Sequence, residues 1–143
     1  MNHHVIKALN QFLEGNYMAI HAYDQYMQHI NDHEMKHILQ TIQQHHQQHA
    51  SRIAERIQNL GGTPVNDVGL KGKMILFLNR LRSTQEPISI LKDALIGEDR
   101  GIRMSQKLVE GDLDQESLTL VNDILSRDEK HVQLLNQLIH QRK

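Results

Sequence analysis

The sequence predicts an all-α chain folded as a four-helix bundle, and three observations predict it. Only two prolines, Pro64 and Pro87, occur in 143 residues. The segments around them are rich in helix formers, with apolar residues recurring three and four positions apart. The breaks between these segments are short, long and short in turn, which implies two antiparallel helical hairpins joined by one long crossover.

The first helix is expected from about Val5 to Ile30. Asn31 and Asp32 follow as a tight turn, and Asp32 is placed to cap the second helix. That helix runs to about Leu60. It is stopped by Gly61-Gly62-Thr63-Pro64, where glycine can take the left-handed cap and proline cannot continue the helix. The crossover occupies residues 61–86 and contains KMILFLNRL, expected as one short amphipathic helix laid over the bundle. Pro87 opens the third helix, which ends near Gly111; residues 112–115 turn into the fourth, which runs to about His140.

Composition narrows the functional classes. The length suits a single domain over residues 1–143, with one substantial core. A net charge of −1 offers no field of either sign to hold nucleic acid or an anionic membrane. There is no cysteine, so thiolate metal ligands, disulfides and a cysteine nucleophile are all excluded. No signal-peptide core and no run near the roughly 20 apolar residues of a membrane span is present, and a cytoplasmic location is expected.

The stretch QQHHQQHASRI, residues 43–53, then becomes informative on a helical wheel of about 100° per residue. Met35, Ile38, Leu39, Ile42, Ile53, Ile57 and Leu60 define the inward face of the second helix. His46 and His49 fall inside that stripe, His45 at its edge, and His33 and His37 outside it. Buried imidazoles need hydrogen-bond or metal partners. The other helices offer them: Asn16 interrupts the inward set Leu9, Phe12, Leu13, Ile20, Tyr23, Met27. Glu98 interrupts Leu91, Leu95, Ile102, Val109, and Asp128 with His131 interrupts Val121, Ile124, Leu125, Val132, Leu135, Ile139.

These polar positions repeat. Asn16, His46 and His49 are matched by Glu98, Asp128 and His131 at a constant offset of 82 residues, and Gly15 by Gly97 at the same offset. The chain reads as a duplicated hairpin, each half giving one residue from its first helix and an i, i+3 pair from its second. Gly-Glu on a first helix and Glu-x-x-His on a second, twice over, is the pattern of ferritin-like di-iron carboxylate bundles. From about Val5 to Ile139 the sequence resembles that superfamily, including the ending IAERIQNLGGTP of its second helix. Within it the chain is similar to small bacterial proteins related to rubrerythrin and bacterioferritin. The resemblance implies a metal site and a role in iron homeostasis or stress.

Carried over position by position, Glu98, His131 and His49 match the family's ligands. Asp128 stands for a bridging glutamate, His46 replaces the other, and Asn16 replaces the terminal glutamate of the first helix. Two of four carboxylates are gone, so the four positive charges of two ferrous ions are half balanced. The remaining set, Glu98, Asp128 and His131 with His46 or His49, suits one iron ion, with manganese or zinc as alternatives. Tyr23 is a candidate redox neighbour.

The competing reading is a metal-free core network in which the imidazoles hydrogen-bond Glu98, Asp128 and Asn16, in a bundle kept for stability or for contact with a partner. Lys71, Lys73, Arg80 and Arg82 are expected as a solvated face. Met74, Ile75, Phe77 and Leu78 are expected to cover one edge of the bundle, with a homodimer contact as the second reading. Few residues follow the fourth helix, so no fifth helix is expected, and a ferritin cage is disfavoured.

Overall fold

The computed structural model describes residues 2–67, 70, 72, 75–76, 86–111 and 113–142. Its helices are α1 (His3–Met27), α2 (His33–Asn59), α3 (Pro87–Val109) and α4 (Gln115–Arg142). α1 pairs with α2 and α3 with α4 as hairpins, and the hairpins pack with α1 beside α3 and α2 beside α4. No helix among the described residues is long and apolar enough to cross a membrane.

Each boundary has a chemical cause. Asp32 accepts the Met35 N–H at 3.0 Å and caps α2. Asp114, at the matching position of the second hairpin, accepts the Ser117 N–H at 3.2 Å and caps α4. α2 ends in a Schellman arrangement: the Gly62 N–H bonds the Ile57 carbonyl and the Gly61 N–H the Gln58 carbonyl, both at 2.9 Å. Gly61 has φ of 86°, a conformation that a side chain disfavours. Pro87 occupies the first turn of α3, where no N–H is required.

α1 stops at Met27, short of the predicted Ile30. Its end tightens into three-residue turns, with the His29 N–H bonding the Tyr26 carbonyl at 3.2 Å. Ile30 is nevertheless buried, so the apolar signal outlasts the helix. α4 continues to Arg142 because that residue has partners. Its guanidinium bonds Asp32 at 2.6 Å and Glu34 at 3.1 Å, at the start of α2. At the opposite end, Arg56 of α2 bonds Asp114 at 2.6 Å, Ser117 Oγ at 3.0 Å and Glu116, at the start of α4. The two acidic pairs stand 82 residues apart, so each end of the α2–α4 pair is tied by the same device.

The start of the crossover is held by α1. Asn10 donates to the Thr63 carbonyl at 3.1 Å and accepts the Val65 N–H at 2.8 Å, and His21 lies 3.2 Å from Asp67. Leu70 is buried, whereas Ile75 and Leu76 are exposed. Lys71, Lys73, Met74, Phe77, Leu78, Arg80 and Arg82 lie outside the described residues.

The apolar core comes in two clusters. One contains Tyr23, Tyr26, Ile30, Leu39, Ile42, Leu91 and Leu135; the other contains Leu9, Leu13, Ile53, Ile57, Ile102, Val121 and Ile124. Between them lies a layer of buried polar side chains. Replacing Gly61 by alanine should leave the fold intact and lower stability by about 1 kcal/mol, because the side chain strains the left-handed cap. Urea unfolding with an unchanged midpoint would show that the cap tolerates a Cβ.

Candidate metal centre

The polar layer takes Asn16 from α1, His46 and His49 from α2, Glu98 from α3, and Asp128 and His131 from α4, all buried. Each sits at the angular position of its helix that the apolar stripe predicts. Glu98 is the centre of the network. His46 Nε2 lies 2.9 and 3.1 Å from its two oxygens, His131 Nδ1 lies 3.0 Å from Oε1, and the Tyr23 hydroxyl donates to Oε1 at 3.2 Å. Asp128 Oδ1 is 3.4 Å from His131 Nδ1 and 3.6 Å from His49 Nδ1.

Asn16 fixes the chemistry of His46. Its Nδ2 donates to the Phe12 carbonyl at 2.9 Å, which turns Oδ1 toward His46 Nδ1 at 3.3 Å. Oδ1 can only accept, and the same is true of the Glu98 oxygens that face Nε2, so a neutral imidazole, with one hydrogen, can serve only one of the two contacts. A cation between imidazole and carboxylate, whether proton or metal, removes the conflict.

Other atoms share this frustration. His49 Nδ1, Asp128 Oδ1 and His131 Nδ1 are buried without a hydrogen bond of proper geometry, although Asp128 Oδ1 lies 3.6 Å and 3.4 Å from the two nitrogens. Native interiors leave few such groups unpaired. One ligand atom each from His46, Glu98, Asp128 and His131 lies within 4.8 Å of the others. Four donors bound tetrahedrally to one ion at about 2.1 Å stand about 3.4 Å apart, so shifts of about 1 Å would close these four around a metal. Asn16 lies behind His46, and His49 lies beside Asp128; neither is among those four.

The electrostatics follow from burial and neighbours. Burial works against a charged Glu98, yet His46 and His131 prevail and hold its carboxyl down at about 2. Burial likewise works against a charged His131, and Asp128 and Glu98 overcome it, raising its pKa to about 9. His49 goes the other way, lowered to about 3 by burial and by His46 and His131. Burial, then the Glu98 charge, keeps Tyr23 protonated well beyond the usual phenol range, as a hydrogen-bond donor.

Two contributors escaped the sequence reading. His45 reaches the layer from the stripe's edge: its Nδ1 is 2.8 Å from His131 Nε2, with the rings stacked at 5.1 Å. The buried Gln43 ties α2 to α1 through the Ile20 carbonyl at 2.8 Å and Asp24 at 2.7 Å. The edge position of His45 was visible, but a wheel gives angle and not reach. His33 and His37 are exposed, as their wheel positions predict.

The bundle with this layer is a ferritin-like fold. The chain belongs to the family described as Domain of unknown function (DUF2383), which it matches over residues 4–111. No curated protein sequence matches it. Its fold is similar to the ferritin-like part of a two-domain protein from Anabaena variabilis that also carries a DJ-1/ThiJ/PfpI-like domain, with a TM-score of 0.81 and 20% identity. That match covers 99% of this chain but 37% of the other. A dodecameric thioferritin, the bacterioferritin-related protein of Bacteroides fragilis, matches at 0.78 and 20% identity, over 99% and 87% of the two chains. A ferritin-like di-iron-carboxylate protein from Bacillus anthracis matches at 0.71 and 22% identity, over 95% of both.

His131 and His49, shifted in opposite directions, make opposite contributions to the pH dependence of the metal-free protein. His131 stays protonated in the fold up to about 9 but loses its proton near 6.5 when unfolded, so its contribution is complete below 6.5 and lost as pH rises toward 9. His49 is neutral in the fold down to about 3 and protonates near 6.5 when unfolded, so its contribution is lost as pH falls from 6.5 toward 3. Thermal unfolding of chelator-treated protein should therefore give a Tm that peaks near pH 6.5 and declines on both sides. A Tm flat from pH 5 to 8.5 would contradict these assignments.

Proposed function

We propose that the chain binds one divalent transition metal ion in the centre of the bundle, through His46, Glu98, Asp128 and His131. The observation that carries this reading is His46 held between two acceptors, Asn16 Oδ1 and the buried Glu98 carboxylate, next to atoms of His49, Asp128 and His131 that are buried without a hydrogen bond of proper geometry. Each of those atoms is a metal donor lacking a cation. In this reading Asn16 acts behind the site: it sets the His46 tautomer and ring orientation, as outer-shell partners of metal-bound histidines do. His45 holds the far nitrogen of His131 in the same way. His49, neutral and beside Asp128, is a fifth donor in reserve.

Two histidines and two carboxylates suit iron, manganese or zinc. Iron is favoured by the fold's company, since similar structures include a di-iron-carboxylate protein and a bacterioferritin-related one. A bound iron or manganese ion would supply a redox couple for oxygen or peroxide, and the process served would be iron handling or stress defence. Glu98 and Asp128 would balance one divalent charge, and Tyr23 would steady Glu98 by its hydrogen bond.

One observation favours the rival reading of a metal-free structural bundle: the charged pair of Glu98 and His131 already neutralises part of the site. Elemental analysis of protein purified without chelator or affinity tag, followed by anaerobic ferrous titration, separates the two. The metal reading expects about one tightly held ion per chain, lost in Glu98→Ala and in His131→Ala. Asn16→Ala should weaken binding by about 10–100-fold while leaving the stoichiometry at one. Background metal in all four proteins would establish the metal-free reading; two ions per chain would refute the charge argument for one.

A further inference from the structure

A cavity of about 140 Å³ lies between α1 and α3 and runs from the surface to the polar layer. Gly15, Gly97, Gly101 and Met104 form its exposed rim, and Asn16, His46, Glu98 and Asp128 are buried at its floor. The three glycines are inside helices, where glycine is weaker than alanine. Close packing within the chain does not account for them: a Cβ built on any of the three meets nothing within 4 Å. What they share is the mouth of this cavity, where larger side chains would project.

We infer that this cavity is a binding site for a small uncharged organic molecule with an apolar body and one hydrogen-donating end. The volume sets the size, since about 150 Å³ suffices to hold one six-membered ring. Phe12, Ala19 and Leu108 give the walls their apolar character. The floor sets the polarity. Asp128 is 7% exposed and lines the cavity, and a carboxylate can only accept, so the floor calls for an O–H or N–H donor. Glu98 adds a second carboxylate and the cavity is lined by no lysine or arginine, so an anion of the same size is repelled. The inference reaches beyond metal binding, because in metal-free protein the acceptor is Asp128 itself; in loaded protein the same floor would present the ion to the molecule's oxygen.

Phenol, uncharged at neutral pH, is the probe, and benzoate is its anionic counterpart. Both are titrated into chelator-treated protein followed by amide NMR. Phenol should give saturable shifts centred on Gly15, Gly97 and Gly101, and benzoate none. Gly101→Leu, which fills the mouth from α3, should weaken phenol binding by about tenfold or more, and Gly15→Leu should do so from α1. Absence of saturation by phenol, equal binding of benzoate, or indifference to both variants would overturn the inference. So would a wild-type dimer that the leucine variants convert to monomer, because the glycines would then be a contact between copies. Metal stoichiometry measured on the same wild-type protein keeps the readings apart: phenol binding without metal leaves only this one standing, and metal without phenol binding leaves only the other.

Discussion

The arrangement of all four helices depends on one buried carboxylate. Glu98 projects from α3 and is met by Tyr23 from α1, His46 from α2 and His131 from α4, each within 3.2 Å. An ionised carboxylate in a core is costly unless its oxygens are paired. Meeting it from three directions ties the rotation of each helix about its own axis to that of the others. Apolar packing above and below would tolerate small slips of one helix past another; this contact would not. The same demand explains why the polar residues occupy one layer: a carboxylate placed a turn away would have to find three new partners among isoleucines and leucines.

The duplicated hairpin has kept its ends alike while its centre has diverged. α1 and α3 end at residues 27 and 109, α2 and α4 begin at 33 and 115, and Asp32 with Glu34 is repeated as Asp114 with Glu116. Each acidic pair receives an arginine from the far end of the opposing helix, Arg142 in one case and Arg56 in the other. Exposed ion pairs add little individually. Their placement at both ends of one antiparallel helix pair nevertheless favours a single alignment of α2 against α4, which is what the central layer requires. At the centre the repeat breaks, with Asn16 opposite Glu98 and His46 opposite Asp128. One half offers an amide and two imidazoles, the other two carboxylates and one imidazole.

Much of this was legible in the residues because burial has a period. Apolar residues at three- and four-residue spacing located the helices, and the polar interruptions of each stripe located the layer, including all six of its named side chains. The end of α1 was overrun because Ile30 is buried by the turn that follows the helix. The arginine clamps could not be read from periodicity, since they join partly exposed polar residues about 60 or 110 positions apart whose proximity follows from antiparallel packing. The approach of Asn16 Oδ1 to His46 Nδ1 was likewise beyond the sequence. It follows from the Phe12 carbonyl claiming the Asn16 amide, a contact one helical turn back.

Likeness to ferritin-like structures at 20–22% identity establishes the fold and leaves the chemistry to the local residues. Here charge is the deciding quantity. With Glu98 and Asp128 ionised and the imidazoles neutral, one divalent cation brings the layer to zero, and a second would leave two uncompensated positive charges among isoleucines and leucines. Protonating His131 achieves half of that neutralisation without a metal, at the expense of a nitrogen that could bind one. In the proposed reading a proton and a cation would compete for the same pair of carboxylates. Asn16 would tilt that competition, because it occupies the only His46 nitrogen that does not face Glu98.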